Sequence, residues 1–235
     1  MNLIISCEHA SSEIPPDYQH VFQDAEHDLI THKAIDFGAK HLAEALRDAF
    51  KCPCVLAKTS RLLIDFNRSL TNRHCFSDYT SNLNAEQKKS VIDTYYSPYR
   101  KAVEALIHEA VQKKQRVLHL SVHSFTPILD GVIRDADFGL LYDPTRTHEK
   151  DLAHAWKPHL VGDDVQYRVR MNYPYRGSSD GFTSALRKHY APDAYVGIEL
   201  ELNQRLVMVH PNPESLTQVT ARIIQSLQAV LASVL

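Results

Sequence analysis

Short β-rich apolar runs alternate with longer stretches of helical period along this chain, and that alternation constrains its fold more than any other feature. Leu3-Ile4-Ile5 opens as a buried strand that breaks at the polar cluster Ser6-Cys7-Glu8-His9-Ala10-Ser11-Ser12-Glu13, with Pro15-Pro16 behind it. Residues 30–50 place Ile35, Ala39, Leu42, Ala43 and Leu46 on one stripe, which predicts an amphipathic helix. Residues 54–57 read as a second strand, 69–84 as a long polar loop, and 85–114 as helix with a break near Ser97-Pro98. Further strands are expected at 117–122, 138–142 and 195–202, and further helices at 148–160, 181–189 and 213–235. Strands alternating with helices imply an α/β fold with a mostly parallel or mixed central sheet and helices on both faces. A chain of 235 residues buries roughly 70 to 75% of its unfolded surface around one core, so a single domain over 1–235 is expected.

The charge balance excludes some partners. Twenty-six Lys and Arg against 28 Asp and Glu leave a formal net charge of −2, with no cationic excess to neutralise a phosphate backbone. No apolar run approaches the roughly 20 residues that span a bilayer, and the N-terminus lacks a basic region followed by a cleavage site. The expectation is a cytoplasmic protein that binds neither nucleic acid nor membrane. Cysteines at 7, 52, 54 and 75 match neither a disulfide framework nor a Cys-x2-Cys zinc site, and Cys52-Pro-Cys54 reads as two small buried hydrophobes.

Four polar clusters fall where strands end, the usual place for a site in an α/β sheet. In the first, His9 and Glu13 lie four residues apart in a tight loop and together suit Zn²⁺. In the second, Val122-His123-Ser124-Phe125-Thr126-Pro127 puts His123 at the end of its strand, so His9 and His123 meet if the two strands are neighbours. A capping residue bonded to a loop carbonyl is the bland alternative for His123. His119, about 13 Å further down the same strand, belongs to the core or behind the site.

The third cluster, Ser60-Arg61-Leu62-Leu63-Ile64-Asp65-Phe66-Asn67-Arg68-Ser69, carries two guanidiniums suited to a substrate carboxylate, against an Asp65–Arg68 loop salt bridge as the alternative. In the fourth, Glu199 and Glu201 share one face of a β-rich run, where burial is costly unless a cation or hydrogen bonds compensate. Glu201, nearer the strand end, suits a general base on zinc-bound water. A pair of edge-strand glutamates facing water is its alternative. The loop Asn172-Tyr173-Pro174-Tyr175-Arg176-Gly177 before a helix adds Arg176 as an anion contact.

Taken together in this order, Cys7-Glu8-His9-Ala10-Ser11, Ser60-Arg61 through Asp65-Phe66-Asn67-Arg68, Val122 to Pro127, Asn172 to Gly177 and Glu199-Leu200-Glu201-Leu202-Asn203-Gln204 resemble the N-formylglutamate amidohydrolase family, from residue 3 to about 206. That family is distantly similar to zinc carboxypeptidases and aspartoacylases. The resemblance implies a zinc-exopeptidase-like fold, a zinc held by His9, His123 and a carboxylate, substrate contacts from Arg61, Asn67 and Arg68, and Glu201 as base. The distant relatives carry their glutamate ligand three residues after the first histidine, where this chain has Ser12. Glu13 is the choice for third ligand, with Glu8 and Asp65 as the alternatives. The implied activity is zinc-dependent hydrolysis of an N-acyl amino acid, formyl or similar, that carries a carboxylate. Carboxypeptidase-like cleavage of peptide or cell-wall fragments, a non-catalytic binding module for a small acidic ligand, and a cysteine hydrolase built on Cys7 and His9 are the competing readings.

Overall fold

A computed structural model describes residues 1–163, 166–208 and 213–234. In chain order the elements are β1 (Asn2–Cys7), a 3-10 turn (Pro16–Phe22), α1 (Glu26–Leu29), α2 (Ala39–Phe50), β2 (Cys54–Leu56), α3 (Ala85–Val91), a π-helical turn (Ile92–Tyr96) and α4 (Ser97–Gln112). There follow β3 (Val117–Phe125), β4 (Ile128–Leu129), β5 (Val132–Ile133), β6 (Phe138–Leu141), α5 (Thr147–Val161), β7 (Val169–Met171), α6 (Phe182–Arg187), β8 (Tyr195–Asn203), α7 (Arg205–Met208) and α8 (Pro213–Val234).

Six strands form one mixed sheet in the order β2-β1-β3-β8-β6-β7. The first four run parallel, while β6 pairs antiparallel with β8 and parallel with β7. The α/β expectation holds. The helix expected over 30–50 does not begin until Ala39, because Gly38 takes a left-handed φ of 81° and turns the chain, with the Ala39 amide bonded to the Asp36 carbonyl. The break in 85–114 is a π-helical turn ahead of Ser97, which accommodates Pro98 in the first turn of α4 within a continuous helical path. Strand β7 and the β4–β5 hairpin had no clear apolar alternation to announce them.

Period-2 alternation divides the central strands between two environments. Leu118, Leu120 and Val122 of β3 and Val196, Ile198, Leu200 and Leu202 of β8 join a core built with Leu42 and Leu46 of α2, Trp156 of α5, and Ile223, Leu227 and Val230 of α8. Each such fully buried side chain contributes roughly 1.5–3 kcal/mol. The indole of Trp156 donates to Ser226 Oγ at 2.8 Å and fixes α5 against α8. The opposite face carries Ser6, His119, Ser121, His123, Glu199 and Glu201, all buried. Low on this face, beside His119, a second core gathers Val103 and Ile107 of α4 with Phe182 and Leu186 of α6. The site occupies the upper part of the face.

Two glycines let the 172–181 loop close over β6. A Cβ on Gly139 would lie 2.0 Å from the Tyr173 carbonyl oxygen, and one on Gly177 would lie 2.2 Å from the Tyr142 nitrogen. Asn172, at φ 49°, braces the same loop by accepting from the Tyr142 and Gly177 amides at 3.1 and 2.9 Å.

Candidate active site

Pairing of β1 with β3 brings His9, just past the end of β1, against His123, and their ring centroids are 4.9 Å apart. Between them stands Asp36. Its Oδ2 is 3.2 Å from His9 Nδ1 and 3.0 Å from His123 Nδ1, and it also accepts the Ser124 amide at 3.2 Å. Ligand atoms of these three residues all fall within 4.8 Å of one another, the one such group among the described residues.

Behind each imidazole sits a carboxylate. Asp65 Oδ1 is 2.8 Å from His9 Nε2, and Glu8 Oε2 is 3.1 Å from His123 Nε2. Glu8 is held in turn by Ser121 Oγ at 2.6 Å and the Tyr99 hydroxyl at 3.0 Å. Arg61 bridges Asp65 at 2.9 Å and Asp36 at 3.4 Å. Burial alone would push Glu8, Asp36 and Asp65 up, but the bonds and charges of His9, His123 and Arg61 outweigh it and hold all three well below the ordinary carboxylate range. Burial would push His123 down; its bonds to Asp36 and Glu8 prevail and raise it. With each ring's Nε2 fixed by a carboxylate, both Nδ1 atoms and Asp36 Oδ2 are left to face one point. Two imidazoles and one carboxylate are a donor set that fits Zn²⁺, with the orienting carboxylates such a set requires.

Glu201 pairs across the sheet with His123 on one side and Gly139 on the other. It sits on a central strand, which removes the edge-strand alternative. Burial, reinforced by Asp36 and Glu199 and opposed by His123, raises its carboxyl to about 7. Its Oε2 is buried with no hydrogen-bond partner. These residues line one side of a cleft of about 260 Å³ closed opposite by Arg68, Tyr175, Arg176, Ser179 and Asp180.

The structure thus gathers His9, His123, Glu201, Asn67 and the three arginines around one cleft, and replaces the expected third ligand. Glu13 is exposed, its backbone occupied by Ser11 Oγ and the Ser60 amide, and it does not reach the histidines; Asp36 stands there instead. Arg61, not Arg68, pairs with Asp65, and Arg61 lines the cleft while it holds Asp65 and Asp36. Asn67 Oδ1 accepts the Phe182 amide at 2.7 Å at the start of α6, and its Nδ2 lies 3.5 Å from His123 Nε2. Cys7 faces the apolar core, where burial pushes its thiol up, which is the opposite of what a cysteine nucleophile needs. His119 is a buried link between Ser6 and the Tyr195 hydroxyl, each at 2.8 Å. Asp36 escaped sequence reading because it lay inside an apparent helical stripe; the one signal was Gly38 two residues on.

A family model described as N-formylglutamate amidohydrolase matches residues 1–208. No curated protein matches the chain. Among solved structures, gene product Atu2144 from Agrobacterium tumefaciens superposes with a TM-score of 0.85 at 26% identity, over 99% of this chain and 91% of that one. The N-formylglutamate amidohydrolase from Ralstonia eutropha JMP134 superposes with a TM-score of 0.73 at 19% identity, over 99% and 93%. No helix among the described residues is long and apolar enough to cross a membrane.

Proposed function

We propose that this chain, which belongs to the N-formylglutamate amidohydrolase family, is a zinc-dependent hydrolase of an N-acyl amino acid, with formyl or a similar small acyl group. The observation that carries the reading is the convergence of His9 Nδ1, His123 Nδ1 and Asp36 Oδ2 beside a buried Glu201 oxygen that has no partner.

His9, His123 and Asp36 would hold the ion, with Asp65 and Glu8 fixing the two rings and Arg61 fixing Asp65 and Asp36. A zinc ion so held supplies Lewis acidity to the amide carbonyl and to the attacking water. Arg68 and Arg176, on the opposite wall, bind the substrate carboxylate; Arg68 is already oriented by donating to the Asp180 carbonyl at 2.7 Å. Glu201 accepts the water proton at its unpartnered oxygen and returns it to the amine nitrogen as the C–N bond breaks, a role suited to a carboxyl poised near neutrality. Loop 172–181 covers this side of the cleft and limits bulk water. The substrate is a small molecule, and the cytoplasm is the compartment in keeping with a charge-balanced chain whose four cysteines are free.

Elemental analysis of protein purified without chelator, paired with hydrolysis of N-formyl-L-amino acids, tests the reading. About one zinc per chain, and activity that vanishes on chelation and returns with zinc, is the expected result. Full activity after exhaustive chelation would overturn it.

A further inference from the structure

The cleft contains a second carboxylate that this mechanism does not use. Glu199 lies two residues before Glu201 on the same face of β8, about 7 Å deeper along the strand. It is 7% exposed and lines the same cleft. One of its oxygens accepts the Thr183 hydroxyl, and among the described residues the other has no hydrogen-bond partner. Arg187, whose charge it feels, is bound to Glu149 at 2.9 Å and to the Gly177 and Gly197 carbonyls, and Arg61 pairs with Asp36 and Asp65, so no guanidinium bonds to Glu199 among the described residues. Gly181 faces it: an added Cβ would lie in ordinary contact with Glu199 Oε1 at 3.5 Å and tightly against Asn67 Oδ1 at 3.3 Å. Gly181 has φ −171°, an extended conformation open to any residue, so its backbone does not require glycine. The missing side chain matters here as room.

A recess with a carboxylate at its floor repels a second carboxylate and receives a donor. We infer that Glu199 is a specificity-determining residue, and that the amino acid released by this enzyme carries a side chain ending in an N–H donor, amide or cation, rather than in a carboxylate. The substrate's α-carboxylate goes to Arg68 and Arg176 at the mouth, and its side chain reaches inward past Gly181 to the open oxygen of Glu199. This rests on the amidohydrolase reading above and narrows it: a substrate with two carboxylates would satisfy the arginines and meet repulsion at the floor. A carboxylate oxygen open only to the cleft discriminates strongly, since a bound side chain that lacks a donor covers that oxygen and leaves it without a partner.

The experiment compares kcat/KM of the zinc-loaded protein on N-formyl-L-glutamine, N-formyl-L-lysine, N-formyl-L-glutamate and N-formylglycine. The first two are expected to exceed N-formyl-L-glutamate by about tenfold or more. Relative rates of the first pair tell an amide from a cation as the preferred donor. Glu199→Gln should compress the lysine-to-glutamate ratio by about tenfold or more. Gly181→Ala should lower kcat/KM for the long side chains relative to N-formylglycine. Because each measure is a ratio within one protein, a partly folded variant does not distort it. A wild type that prefers N-formyl-L-glutamate, or a Glu199→Gln variant whose ratios match wild type, overturns the inference while leaving the hydrolase standing. Hydrolysis of none of the four overturns both.

Discussion

The two faces of the β3–β8 pair are made by the same eighteen residues of chain, Val117–Phe125 and Tyr195–Asn203, yet they answer to opposite demands. On one face Leu118, Leu120, Val122, Val196, Ile198, Leu200 and Leu202 pack under α2, α5 and α8, with Ser124 at its upper end. On the other, His119, Ser121, His123, Glu199 and Glu201 stand in a buried row, bonded in part to one another and to Ser6 of β1 and Glu8 just past it. Neighbours in sequence therefore differ in what their loss would do: Leu200 holds the fold together, whereas Glu201 is held in place by it. The apolar face has to be well packed before the polar face can afford an unpartnered carboxylate.

The largest contrast is expected at that pair. Glu201→Gln should lower kcat by about 10² to 10⁴ with zinc content unchanged, whereas Leu200→Ala should cost about 2–5 kcal/mol of stability with little change in kcat per folded molecule. Denaturant unfolding, metal analysis and rate measurements on the two variants decide it. Loss of zinc from Glu201→Gln would move that residue among the ligands, and near-normal turnover would move the base elsewhere.

Next in size, His123→Ala should abolish stoichiometric zinc binding, read by elemental analysis or isothermal titration, because it removes one donor and leaves Asp36 and Glu8 unbalanced. The matching change on the apolar face, Val122→Ala, should leave the ion in place and lower the melting temperature.

The pH dependence of stability separates the faces again. Glu201 is raised from 4.5 to about 7, so the stability tied to its neutral form is fully present below its unfolded value and lost as pH climbs through 7. In metal-free protein at pH 8.5, Glu201→Gln should then be more stable than wild type by about 3 kcal/mol, with the gap gone by pH 4. Zinc should shrink the gap, since a nearby cation compensates the charged form. His119 runs the other way: burial lowers it to about 4, so its cost enters as pH falls from 6.5 toward 4. Calorimetric melts across pH measure both.

Smallest is Arg176→Ala, at an exposed cleft residue. A several-fold to tenfold rise in KM for carboxylate substrates, with melting temperature unmoved, is expected. A change in melting temperature would give Arg176 a structural role.

Much of this contrast is legible in the sequence. Alternation of apolar and polar residues in 195–203 already separates Leu200 from Glu201, and two histidines at strand ends already point at each other if their strands pair. What the sequence withheld depends on loops. Asp36 reaches the site through a turn at Gly38 whose φ no apolar pattern encodes, and Glu13 sits close to His9 in sequence while the chain carries it outward. The role of Arg61 was hidden for a related reason: whether a guanidinium is free or already paired depends on side chains 25 residues away, such as Asp36. Strand β7 is three residues long, too short to carry a period.

β8 is among the last elements in the chain and yet sits in the interior of the sheet, between β3 and β6. Until residues 195–203 have docked, β3 and β6 have no contact through the sheet, and every pairing β8 makes closes a loop of more than fifty residues. The entropic toll of such closures sets the pace of folding. The three groups that would hold the ion are all in hand once β3 has paired with β1, while Glu201 arrives only with β8. During synthesis, then, His9, Asp36 and His123 would converge before Glu201 closes over them, so an ion taken up early would meet its three ligands ahead of the carboxylate proposed to act beside it.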